Sequence, residues 1–323
     1  MSDKRKEISV SDKRKTNALS YLDEANRKKP QLLSEYIRSF QCKCLQNPYC
    51  TCVGGRLKVL FEGVDGFVAL LCVWNGYDGD PIQLHVEHDD RPWADAIYHK
   101  IYFSTGMINH FLELKALPQK KLLGYELPRN DIFDNILGIG ASAWTISHEC
   151  SHIFYHINDD FSAKLTSQAV EADADMLAAA NVYRILQMFM VSMNDEDVRC
   201  LTLYCIFSII RSLPHDAGWG GHPSTAMRLW FIFTKLATVR KNPKDPPDIY
   251  FLTRESKSAA HRLLTCLINC ENEYQSLIPG EKTNLLPELK EIIEKETFSP
   301  ISEQWDEMQD EIRKRVSERK AEH

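Results

Sequence analysis

Two short strings decide the fold: 148-HECSH-152 and, after an interval of eighteen residues, 171-EADAD-175. In a helix, residues four positions apart lie on the same face, so His148 and His152 can direct both imidazoles at one metal ion. A catalytic zinc ion needs three protein ligands and one open position, and the interval is long enough for a turn and a second helix that supplies Glu171. The strings therefore predict two packed helices around a zinc site.

Two neighbouring carboxylates extend this predicted ligand set. Glu149 directly follows the first histidine and can act as a general base on water at the metal. Asp175 lies one helical turn beyond Glu171 and can accept the free N–H of a ligating histidine, which fixes its tautomer. The alternatives are a histidine pair in a core helix and an acidic helix face in solvent. The apolar run at 176–180 favours a buried helix, in which carboxylates need a partner.

The motifs resemble those of the gluzincin metallopeptidases, in which HExxH supplies two histidines and a following helix supplies a glutamate. The Glu-x-x-Ala-Asp form is similar to the branch that includes the CAAX prenyl proteases and their compact relatives. Two further segments are similar to that branch: 101-IYFSTGMI-108 upstream, and 221-GHPS-224 with Arg228 downstream. The resemblance covers roughly residues 100–235. A phage-exclusion peptidase of bacteria, which carries HExxH, is a second resemblance.

The resemblance implies a role for each residue. His148, His152 and Glu171 would hold Zn²⁺, and Glu149 would act first as general base and then as general acid. His222 and Arg228 would stabilise the oxyanion of the tetrahedral intermediate. For His222 the alternative is a loop histidine near a helix start, and for Arg228 it is a salt bridge to Asp175 or another acid. The strand at 101–105 would be the sheet edge that pairs with an extended substrate.

The predicted fold class is α+β, a small antiparallel or mixed sheet packed on a mostly helical, zincin-like metallopeptidase core. Strands are predicted at 57–61, 67–74 and 101–105. Helices are predicted at 107–114, 141–157, 167–193, 198–213 and 225–239, with a charged helical tail from residue 287. Four regions are expected: 1–40, a charged arm and helix; 41–98, cysteine-rich and β-rich; 99–240, the gluzincin catalytic domain; and 241–323, a helical C-terminal region.

The second region contains a cluster of four cysteines in the pattern C-x-C-x5-C-x-C: Cys42, Cys44, Cys50 and Cys52. Four thiolates can close on one tetrahedral metal, which would be a second, structural zinc. The spacing is tighter than in a usual zinc finger. A plain thiol cluster and, less readily in a reducing compartment, disulfides are the alternatives.

Composition limits the function classes. A net charge of −6 and a pI near 6.0 argue against a chain built mainly to bind nucleic acid. No uninterrupted apolar span or targeting signal is visible, so we expect a cytoplasmic protein without a membrane span. The sequence thus predicts a zinc endopeptidase acting on a cytosolic protein or peptide. Alternatives are a catalytically silent zinc-binding regulatory or interaction protein and a nucleic-acid module built on the cysteines and the basic arm. The oligomeric state is left open.

Overall fold

The computed structural model of the 323-residue chain describes residues 30–40, 52–115, 131–156, 167–213, 222–240, 254–278 and 283–295. These ranges contain four strands: β1 Gln31–Leu32, β2 Gln83–Glu87, β3 Ala94–Ile97 and β4 Lys100–Ser104. They also contain the helices α1 Leu33–Ser39, α2 Val53–Phe61, α3 Val64–Asn75, α4 Thr105–Glu113, α5 Asp131–Ser151, α6 Ser167–Phe189, α7 Asp195–Ser212, α8 Thr225–Thr238, α9 Arg254–Leu277 and α10 Leu286–Lys295. The protein is mostly helical with a small mixed sheet, which confirms the predicted α+β class.

The sheet has the strand order β1-β2-β4-β3. Strand β2 is antiparallel to β1 and parallel to β4, and β3 is antiparallel to β4. Strand β4 is buried on both faces, since Ile101, Tyr102 and Phe103 are at most 1% exposed. The strand predicted at 101–105 is confirmed, but its predicted position at the sheet edge is wrong. It lies between β2 and β3, and β3 is the outer strand on that side of the described sheet.

Two predicted strands are wrong, because residues 57–61 and 67–74 are helical. Helix α2 begins at a cap in which the Cys52 Sγ accepts the backbone N–H of Gly55 at 3.3 Å. Helix α3 lies between Gly63 and Gly76, whose φ values of 79° and 62° are readily adopted only by glycine. The strand-favouring valines and aromatics of this region are therefore overridden by helix-ending signals and by packing.

The remaining predicted helices are confirmed, with shifted bounds. The helix that carries HECSH begins at Asp131, ten residues before the predicted start, and continues as a π turn, His152–His156. A π turn is wider than an α turn and is frequent at functional sites. The predicted N-terminal arm, the turn predicted between the two site helices and the predicted tail beyond Lys295 lie outside the described residues. Within the described helices, none is long and apolar enough to cross a membrane.

Helices α5, α6, α7 and α8 pack on one another and place the site in the core. The α6 segment 172–175 is fully buried, although it carries two aspartates. Helix α8 begins at Ser224, whose hydroxyl accepts the backbone N–H of Met227. That cap sets the start of the helix that carries Arg228. Strand β3 contacts both α5 and the π turn, so an outer strand runs beside the site helix.

Gly106 is required where α4 begins, because the loop after β2 packs directly against it. A Cβ atom there would lie 2.2 Å from the carbonyl oxygen of Asp90, a backbone atom that cannot move aside. We expect Gly106→Ala to lower the free energy of unfolding by at least about 1–3 kcal/mol, the usual cost of overpacking. Urea denaturation measures this change.

Gly66 supplies the matched control. A Cβ atom at this helical position would meet nothing within 4 Å. Gly66→Ala should therefore leave stability unchanged or raise it by up to about 1 kcal/mol, since alanine favours helix. Equal losses in the two variants would contradict the steric explanation.

Candidate metal centre

Three side chains from two helices converge as the sequence predicts. The Nε2 atoms of His148 and His152 lie 3.1 Å apart. Glu171 of α6 places Oε2 3.2 Å from the first and Oε1 3.6 Å from the second. Ligand atoms of the three residues all lie within 4.8 Å of one another, so the group could hold a metal ion.

The geometry of this group fits a metal ion. Tetrahedral ligands at about 2.0–2.1 Å from zinc lie roughly 3.3–3.4 Å from each other, close to the separations seen here. The Oε2 atom of Glu171 is buried and makes no aligned hydrogen bond, although imidazole nitrogens of His148 and His222 are 3.2 and 2.9 Å away. A buried carboxylate oxygen that faces imidazoles without bonding to them is suited to a cation. Two imidazoles and a carboxylate are compatible with several divalent metals.

The carboxylate of Asp175 contacts His148, and the guanidinium of Arg228 contacts that carboxylate. Nδ1 of His148 lies 2.9 Å from Oδ1 of Asp175. Asp175 in turn accepts two hydrogen bonds from Arg228, from Nε at 2.7 Å and from Nη2 at 2.9 Å. Burial alone would raise the pKa of Asp175, but the guanidinium lowers it to about 2. Asp175 thus contacts both His148 and Arg228, and its role as the orienting carboxylate stays a prediction.

His152 has a different partner, which the sequence analysis missed. Its Nδ1 lies 3.1 Å from Nδ1 of His156. The other ring nitrogen of His156 lies 3.3 Å from Oδ2 of Asp173. The signal was present in the sequence, since residues 148, 152 and 156 form one helical stripe and Asp173 stands in the middle of EADAD.

Glu149 lies beside the ligand group and is 8% exposed. Burial raises the pKa of its carboxyl group to about 8, and the positive charge of His148 opposes part of that rise. The exposed Asp95 of the outer strand β3 adds to the rise by its negative charge. A carboxyl group with a pKa near neutrality can both take and give a proton, as a general base and acid must.

The histidines differ in charge before any metal is considered. Burial lowers the pKa of both, but Asp175 and Glu171 then raise that of His148 to about 10. For His152 burial prevails and the pKa falls to about 4. Burial would raise the pKa of Glu171, yet its contacts with the imidazoles hold it well below its usual range. The carboxylate of Glu171 thus lies between imidazoles that stabilise its negative charge.

His222 and Arg228 both border the ligand group. His222 places Nε2 2.9 Å from Oε2 of Glu171, and its side chain is 29% exposed. The Arg228 side chain is 14% exposed and lies over the ring of Trp144 at 5.5 Å. Its Nε and Nη2 donate hydrogen bonds to Asp175, which the sequence analysis gave as the alternative partner of Arg228. The oxyanion role of these two residues stays a prediction.

The predicted second zinc site cannot be placed in the described part of the chain. Cys42, Cys44 and Cys50 lie outside the described residues. Cys52 is exposed and caps helix α2. The second zinc stays a prediction.

Comparisons with known protein families, curated proteins and solved structures found no match to this chain. The likeness to gluzincin peptidases therefore stays a sequence resemblance, and the function must be argued from the site itself.

Proposed function

We propose that the chain is a zinc-dependent endopeptidase that hydrolyses peptide bonds of a protein or peptide substrate. One observation supports this above all: His148, His152 and Glu171 converge on one point with the buried carboxyl group of Glu149 beside them. A purely structural site needs no such carboxyl group and usually has four protein ligands. Three ligands leave a position for water, as hydrolysis requires.

Zinc bound to these three residues would polarise the scissile carbonyl and lower the pKa of the attacking water toward about 7. Glu149 would take the proton of that water and hand it to the leaving amine. In the metal-free site, burial raises the pKa of this carboxyl group above its usual value, which favours its holding the proton between the two transfers.

The residues around the ligands would divide the remaining work. His222 is the more exposed of the two candidates beside Glu171 and would donate a hydrogen bond to the developing oxyanion. Arg228 is held by Asp175 through two hydrogen bonds and carries its charge at the edge of the pocket. These contacts support a role for Arg228 in orienting Asp175, and through Asp175 also His148. Arg228 would in addition stabilise the negative charge of the oxyanion.

The outer strand β3 would hold the substrate. It is the outermost strand on that side of the described sheet, and an extended peptide can add to such an edge. Strand β3 packs beside α5 and the π turn, and Asp95 lies close enough to Glu149 to influence its pKa. A peptide paired there would pass in front of the ligand group. Strand β4, the predicted edge, has no free side.

The test combines metal analysis with a single substitution. Purified wild type should contain about one zinc ion per ligand group. It should also cleave proteins in a lysate, and mass spectrometry should detect the new N-termini that cleavage creates. Glu149→Gln should keep the zinc but cleave roughly 100- to 10,000-fold more slowly, because the general base is lost. Glu113→Gln, on the exposed face of α4, is the control and should match wild type. Wild type without zinc, or a Glu149→Gln variant that cleaves equally well, would overturn the proposal.

A further inference from the structure

His156 stands outside the ligand group but belongs to the same row of imidazoles. Residues 148, 152 and 156 follow one another at four-residue intervals, and the last two are the ends of the π turn. The His156 side chain is 5% exposed and that of Asp173 is 1% exposed. Two buried polar side chains with no place in the proposed hydrolysis need another explanation.

The arrangement of ring nitrogens fixes where the protons lie. A neutral imidazole carries one N–H and one lone pair. Since His152 directs Nε2 at the ligand group, its proton must be on Nδ1. That Nδ1 faces Nδ1 of His156 at 3.1 Å, so the latter must be the acceptor. The proton of His156 is then on Nε2, which faces Oδ2 of Asp173 at 3.3 Å.

We infer that His156 and Asp173 are positioning residues that hold His152 in its metal-binding tautomer and ring orientation. This rests on the proposed metal site. The contact between His156 and Asp173 is at ion-pair distance without full hydrogen-bond alignment. A buried carboxylate at that distance still favours the N–H on the facing nitrogen, because no other tautomer of His156 would serve both neighbours.

The two ligand histidines are thus supported in different ways by the same string. Asp175 contacts His148 directly at 2.9 Å, whereas Asp173 acts on His152 through a second imidazole. Groups behind a ligand histidine raise its basicity and fix its orientation, and losing one costs about 10- to 100-fold in metal affinity. The His156–Asp173 pair should contribute in the same way.

Metal affinity measures this role without reference to catalysis. Zinc affinity would be determined by competition with a chromophoric chelator on the full-length protein. His156→Leu should bind zinc roughly 10- to 100-fold more weakly than wild type. His156→Asn should bind within a few-fold of wild type, because its amide oxygen takes the place of the accepting Nδ1. His110→Leu is the control, since His110 bonds to Ser212 of α7 and belongs to neither the ligand group nor the His156–Asp173 pair.

A second measurement uses the wild type alone and stands even if the leucine variant fails to fold. Long-range ¹H–¹⁵N NMR of the zinc-loaded protein should show the Nε2–H tautomer for His156 and the Nδ1–H tautomer for His152. An Nδ1–H tautomer at His156 would overturn the inference, as would unchanged affinity in a folded His156→Leu protein. Wild type that binds no zinc would overturn the metal site as well. Zinc binding without peptidase activity would reject only the proposed function.

Discussion

Replacing Glu171 with leucine should weaken zinc binding roughly 100- to 1000-fold and abolish hydrolysis. Zinc sites with four protein ligands bind with about 10–16 kcal/mol, or roughly 2.5–4 kcal/mol per ligand, and about 1.4 kcal/mol is a factor of ten. Glu171 supplies the only negative charge among the three proposed ligands and faces both imidazoles. The loss of Glu171 should therefore reduce the free energy of zinc binding by at least the average contribution of one ligand. Chelator competition and zinc content after dialysis measure the effect.

Thermal unfolding gives a second, independent reading of the same substitution. A ligand that binds only the folded state raises the melting temperature by an amount that grows with the ratio of its free concentration to its dissociation constant. Added zinc should therefore raise the melting temperature of wild type but not that of Glu171→Leu. Gln168→Leu is the matched control, because Gln168 is exposed on the first turn of the same helix. An equal zinc-dependent rise in wild type and Glu171→Leu would show that Glu171 is not a ligand.

The ligand group could be predicted because its information is local. His148 and His152 are one helical turn apart, so helix geometry alone brings them together. Glu171 lies on another helix, and its proximity was predicted from chemistry, since a catalytic zinc ion needs a third protein ligand. Asp175 follows from Glu171 by the same one-turn spacing.

The contacts of His156 and Asp173 that position His152 were not predicted, although both residues lie in or next to the two motifs. His156 lies one turn beyond HECSH, and Asp173 lies between the two acids that were chosen. The one-turn rule groups Glu171 with Asp175 and assigns Asp173 to another face. The structure buries α6 on several sides, so residues on both faces reach polar partners. Burial all round a helix depends on what packs against it, which a single segment does not reveal.

The sheet shows the same limit at longer range. Buried and more exposed residues alternate along strand β2, with Leu84 and Val86 buried. Its parallel pairing with β4, however, joins two segments that are separated in sequence by two turns and by β3. That pairing moves β4 from the predicted edge to the interior. Residues 57–61, predicted as a strand from their side-chain types, bury Leu57, Leu60 and Phe61 at helical spacing. Spacing was the better guide there than residue preference.

Arg211 and Glu271 form a buried ion pair whose disruption should strongly destabilise the helical core. Both side chains are fully buried, and the guanidinium donates from Nε to Oε2 and from Nη2 to Oε1, each at 2.9 Å. Oε1 also accepts the backbone N–H of Leu285 at 3.1 Å. The pair thus joins α7, α9 and the segment before α10. Arg211 Nη2 also donates to the carbonyl oxygen of Thr283 in that segment.

Glu271→Leu should lower the free energy of unfolding by about 3–5 kcal/mol, because it leaves the Arg211 guanidinium buried and without its carboxylate. Arg211→Met/Glu271→Leu should recover most of this loss, since removing both charges removes the desolvation cost too. Urea denaturation of the two variants measures the difference. Glu294→Leu, which breaks the exposed Lys290–Glu294 pair on α10, is the control and should unfold like wild type. A double variant as unstable as Glu271→Leu would mean that the pair stabilises the fold through its attraction, rather than merely offsetting its own burial.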